Sequence, residues 1–130
     1  MATWPTAEQI QAFMDAPQDE PVVICNILSL KREPDGTTSP ETWARMMEYS
    51  VAMRGFVERA GAEFVFAGQI NQQFLGDAGE HFQFLAIMRY PTRQAYLELA
   101  GDPEVAATIG VARDEALDSQ WIFTMDEVAS

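Results

Sequence analysis

The stretch HFQFLAIMRYPTR, residues 81–93, decides the fold. Phe82, Phe84, Ala86, Met88 and Tyr90 share one parity of an extended chain, and Gln83, Leu85, Ile87 and Arg89 share the other. Both sets are largely apolar in the middle, so the pattern predicts a strand covered on both faces. Pro91 has no N–H to give a ladder and ends the strand. Thr92 then caps a helix that begins at Arg93. Arg89 has two readings. It snorkels at the sheet edge, or it points a fixed guanidinium into a cavity.

Upstream, VVICNILSL over Val22–Leu30 is a second buried strand, enriched in valine and isoleucine. Its faces are Val22, Ile24, Asn26, Leu28 and Leu30 on one side, and Val23, Cys25, Ile27 and Ser29 on the other. Asn26 interrupts an apolar run. A buried amide needs hydrogen-bond partners, so Asn26 is either tied to neighbouring backbone or orients a ligand in a pocket. Cys25 reads as a small buried hydrophobe rather than a nucleophile, because nothing places the single histidine beside it. The loop KREPDGTTS follows, with a turn at Pro34-Asp35-Gly36. Ser39 caps a helix from Pro40 to about Ala60. Trp43, Met46, Met47, Ser50, Met53, Val57 and Ala60 form its predicted inner stripe, with Tyr49 and Arg54 off the centre. Gly61 stops it.

Ala62–Leu75 reads as a strand in which Gly68 marks a bulge or a close approach. GDAGE over 76–80 turns into the opening stretch, with His81 at the boundary. A lone histidine beside an acidic loop is a surface group or, less simply, a general base. After Pro91 come a short helix over Arg93–Ala100, then one or two helical pieces from the Asp102 cap to about Ala116, with Gly110 as a break point. Arg113 lies late in that segment, at a helix C-terminus or within reach of a pocket. Gln120–Asp126 is the last strand. At the start, Thr6–Met14 is a short capped helix with Gln9 in the reciprocal position. Trp4 pins it, and APQDEP links it onward. Residues 1–20 are thus an N-terminal helix and linker, and 21–130 a single domain.

Eight basic residues against twenty acidic ones give a formal charge of -12. No basic patch is left for a phosphate backbone, so nucleic-acid binding is not expected. No apolar run reaches the length of a membrane span, and the N-terminus has no secretory pattern. One cysteine permits no internal disulfide, which fits a cytoplasmic location. One histidine and one cysteine among scattered carboxylates give no metal-ligand spacing.

The order is a leading helix followed by β-α-β-β-α-β. That is the ferredoxin-like pattern, an α+β fold with a four-stranded antiparallel sheet and helices on one face. One face of the sheet stays uncovered in a monomer, so pairing of two sheets is expected. The chain also resembles the DUF1330 family of the dimeric α/β-barrel superfamily over most of Pro21–Asp126. The resemblance rests on PVVICNILSLK with Asn26 and Lys31, on the Tyr49 helix and the Gly61 boundary, and on RYPTRQAYLELAGDPEV with the later Arg113. Val105 departs from the aromatic common after Asp-Pro-Glu in that family. The resemblance implies a homodimer forming a dimeric α/β barrel. No cofactor is expected, and haem, which the superfamily's haem-binding branch holds through a proximal histidine, is disfavoured because His81 starts a strand and does not match it. The resemblance leaves the reaction open, since the superfamily includes cofactor-independent monooxygenases and isomerases.

Two functions follow as expectations. One is a cofactor-independent enzyme of monooxygenase, isomerase or cyclase type, acting on an apolar or aromatic small molecule with a carbonyl or anionic group. Asn26 orients that group, Arg89 or Arg113 holds negative charge, and Tyr49 and His81 serve proton transfer. The other is a non-catalytic ligand-binding or regulatory dimer using the same cavity. A pocket function requires at least two of Asn26, Arg89 and Arg113 to converge on one solvent-accessible cavity.

Overall fold

The computed structural model describes residues 5–128. Its elements are α1 (Ala7–Asp15), β1 (Val22–Leu30), α2 (Pro40–Arg59), β2 (Glu63–Gln69), β3 (Phe84–Tyr90), α3 (Arg93–Ala100), α4 (Pro103–Ala116) and β4 (Leu117–Met125). The expected order holds. The sheet runs β2-β3-β1-β4 with every neighbouring pair antiparallel. Trp4 lies outside the described residues.

Local chemistry sets the helix boundaries. Thr6 and Gln9 form a reciprocal capping box at α1. Ser39, Thr92 and Asp102 cap α2, α3 and α4 through side-chain oxygens. Gly61, at φ +80°, takes the left-handed turn that stops α2.

β3 is inner, between β2 and β1. Ala86, Met88 and Tyr90 bury under the helices, while Leu85, Ile87 and Arg89 lie half-buried on the opposite face. The helix-side core also takes Ile24, Leu28, Met46, Phe56, Val57, Leu99, Val105 and Ile109.

Four details differ from the sequence reading. The inner stripe of α2 is rotated: Tyr49 and Phe56 are buried, whereas Met47 is exposed. The α2 helix packs against both α4 and the sheet, so its apolar arc faces a corner rather than a single plane. Strand β2 ends at Gln69, and the 70–83 segment is a loop apart from single bonds such as Ile70 N–H to the Gln83 carbonyl. The register shift lies between Phe64 and Phe66, not at Gly68. Gly68 is instead the close approach, since a Cβ there would meet the Phe66 ring at 3.0 Å. Finally, α4 is unbroken at Gly110, and β4 follows it directly at Leu117.

Candidate functional site

β1 carries Asn26 in the centre of its helix-side face, 6% exposed among apolar neighbours. Its partner comes from β4. Gln120 pairs with Leu28 in register, two residues along from the position opposite Asn26, so the two side chains are diagonal neighbours on one face. Gln120 Nε2 donates to Asn26 Oδ1 at 2.9 Å. Arg113 stands in the last turn of α4, which folds back over the start of β4. Its Nε donates to Gln120 Oε1 at 2.9 Å.

Tyr49 enters from α2, and its hydroxyl feels the side chains of Asn26 and Gln120. Burial pushes the Tyr49 pKa up, and it outweighs the Arg113 charge and the two amides, which act in the opposite sense. The other tyrosines gather nearby. Tyr90 and Tyr96 meet edge to face with ring centroids 5.1 Å apart, and Phe13 of α1 packs on Tyr96 at 5.4 Å. Burial raises the pKa of both, and the neighbouring Tyr49 adds to the effect.

A cavity of about 20 Å³ opens beside Asn26 and Tyr49, bounded by Ser50, Met46, Met53, Met88, Phe64 and Phe84. That space is the size of a single water, but three of its walls are methionines, whose unbranched side chains repack readily. A larger hollow of about 300 Å³ lies elsewhere, where Phe56 and Arg59 of α2 and Ala60 just beyond it face Leu99, Asp102 and Glu104. None of the predicted site residues borders it. The smaller cavity is the one lined by the buried polar residues Asn26 and Tyr49; Gln120 and Arg113 stand behind Asn26 and do not border it.

Of the residues singled out from sequence, Asn26, Tyr49 and Arg113 are brought together. Arg89 is not. It sits on the opposite face of the sheet, opposite Val23 in register, and its guanidinium pairs with Glu63 and Glu127. His81 lies before β3 with its Nδ1 against the Arg32 guanidinium, away from the cavity. Gln120 was legible only as the first residue of the last strand. Its signal was an amide on the same parity as Ile122, and only the strand pairing shows that this parity meets Asn26.

The assembled groups are amides, a phenol and a guanidinium. They suit holding and polarising a carbonyl or anionic oxygen. Among the described residues, no group of three or more His, Cys, Asp or Glu is placed to hold a metal ion. No helix among them is long and apolar enough to cross a membrane.

No family model matches the chain, and no curated protein matches it either. Solved structures do. The RPA0582 protein of unknown function from Rhodopseudomonas palustris is 25% identical, with a TM-score of 0.77 over 98% of this chain and 97% of that one. A dimeric, ferredoxin-like protein of unknown function from Bacteroides fragilis is 14% identical, with a TM-score of 0.60 over 85% of this chain and 100% of that one. SnoaB, a cofactor-independent oxygenase from Streptomyces nogalater, is 13% identical, with a TM-score of 0.54 over 84% and 96%. The ferredoxin-like fold is thereby shown.

Proposed function

We propose that this protein is a homodimer that binds a small molecule in the cavity beside Asn26 and Tyr49. The observation that carries the reading is the hydrogen-bonded series Arg113–Gln120–Asn26, drawn from three elements, that ends at the cavity Asn26 shares with Tyr49 of a fourth. A core amide tied only to local backbone has no need of that arrangement. The ligand has an apolar or aromatic body, which the methionine and phenylalanine walls accept as they repack, and a carbonyl or anionic oxygen, which the polar groups hold. Where the ligand reacts, Asn26 stabilises developing charge on that oxygen, Arg113 supplies positive potential from behind, and Tyr49 exchanges a proton with the reacting atom. This matches a cofactor-independent enzyme, the class named for SnoaB. The sequence resemblance to DUF1330 supports the same dimeric architecture.

The dimer forms through the open sheet face. Phe66, Phe123 and Met125 are exposed there at 57%, 53% and 37%, beside Ile27, Leu85, Ile87 and Trp121. Such a continuous apolar sheet face calls for a cover.

A thermal-shift screen of aromatic ketones and carboxylates tests the ligand reading. A ligand present at a hundred times its Kd stabilises the fold by about 2.7 kcal/mol. Asn26→Ala is expected to abolish that shift, and to lower stability by about 1–3 kcal/mol because Gln120 Nε2 loses its acceptor. An unchanged shift in Asn26→Ala would overturn the site.

A further inference from the structure

Gln120 does not border the cavity, yet its position determines what the cavity can bind. Arginine has donors only, so the atom of Gln120 facing Arg113 Nε must be its oxygen. Gln120 therefore turns its nitrogen toward Asn26. The atom of Asn26 that receives it, at 2.9 Å, must be Oδ1. One fixed charge thus orients two amides in series and leaves Asn26 presenting Nδ2, a donor, beside the Tyr49 hydroxyl. Without Arg113 either amide could turn over at little cost, and the site would offer donor or acceptor indifferently.

We infer that Gln120 is a positioning residue that locks the cavity in its donating form, so that the ligand group held there is an oxygen acceptor, a carbonyl or oxyanion, and not an amine or other donor. The inference rests on the proposed ligand cavity and narrows its ligand class. The groups that hold the lock come from α4, β4, β1 and α2, one from each.

Side-chain amide NMR of the 15N-labelled protein separates the two. In the ligand-free wild type, the Asn26 and Gln120 NH2 protons should exchange slowly with solvent. Gln120→Leu should speed exchange at Asn26 by about tenfold or more, because Asn26 Oδ1 loses the donor that holds the amide in one orientation. Small probes then read the polarity. Acetone and acetate should shift the Asn26 NH2 signals saturably, and methylammonium should not. Asn26→Asp, which turns an oxygen to the cavity and is read at the Gln120 NH2 signals, should reverse that order, and Gln120→Glu, which keeps an oxygen for Arg113 but replaces the donor facing Asn26, should weaken acetone binding about tenfold. Gln120→Leu leaving both Asn26 exchange and probe preference unchanged would overturn the lock. Equal shifts from methylammonium and acetone in the wild type would overturn the ligand class. Silence from every probe, with slow exchange intact, would instead overturn the ligand cavity itself and the ligand class with it.

Discussion

The two faces of the sheet are built from the same strands and have opposite characters. On the helix side, Asn26 is buried in an apolar core, and half-buried Gln120 links its Oδ1 to Arg113. On the open side, the charged residue Arg89 stays near the rim with two carboxylates, while apolar side chains fill the middle. Polar groups at the centre with apolar walls around them make a site. An apolar centre with charges at the margin makes an interface. Two arginines that looked equivalent in the sequence thereby part company. Arg113, its side chain 19% exposed, donates to Gln120, whereas Arg89 is held by surface ion pairs.

The largest expected effect comes from a charge on the open face. Ile87 lies on β3 beside Cys25 and Phe66 in register. Ile87→Glu should weaken dimer association by more than about a hundredfold, since an unpaired carboxylate would be buried between sheets. Sedimentation velocity should show a species of half the mass that still unfolds cooperatively. An intact dimer in this variant would break the contrast between the faces.

Alkaline pH addresses the other face. Unfolded tyrosine ionises near pH 10. In the folded chain, burial holds the Tyr49, Tyr90 and Tyr96 hydroxyls neutral to higher pH. The folded state keeps protons that the unfolded state releases, so this contribution is complete below about pH 10 and is lost as pH rises through the folded values. Burial of the Cys25 thiol on the open face acts in the same sense. The urea midpoint should therefore fall as pH rises above about 10, and Tyr49→Phe combined with Tyr96→Phe should flatten the decline. A slope identical in the double variant would remove the tyrosine cluster from the account.

The smallest effect is expected at Arg89. Its partners Glu63 and Glu127 are mostly exposed, with side-chain exposures of 64% and 65%. Arg89→Ala should cost less than about 1 kcal/mol and leave ligand shifts intact, as exposed pairs usually contribute little. Loss of ligand binding in this variant would return Arg89 to the site.

Much of the fold could be read before the chain was seen folded. Strand alternation, the Pro91 stop, and the Thr6, Ser39, Thr92 and Asp102 caps are local, and each depends on neighbours within a few residues. The α2 face was read less well, because Tyr49 is buried by α4 and the sheet jointly, and neither is visible from helical spacing alone. Three of the four site residues, Asn26, Tyr49 and Arg113, were legible too, and Gln120 was not. Asn26 stands out as an amide in an apolar strand, and Arg113 as a cation late in a helix.

What the sequence determined by itself is the set of elements, their order and the two parities of each strand, because backbone sterics, caps and hydrophobic period act locally. What only the tertiary structure decided is which parity meets which partner. Antiparallel pairing of β1 with β4 sets Gln120 diagonal to Asn26, and the direct passage from α4 into β4 hangs Arg113 above them. The same pairing of β1 with β3 sends Arg89 to the far face, where no spacing rule along the chain could have put it.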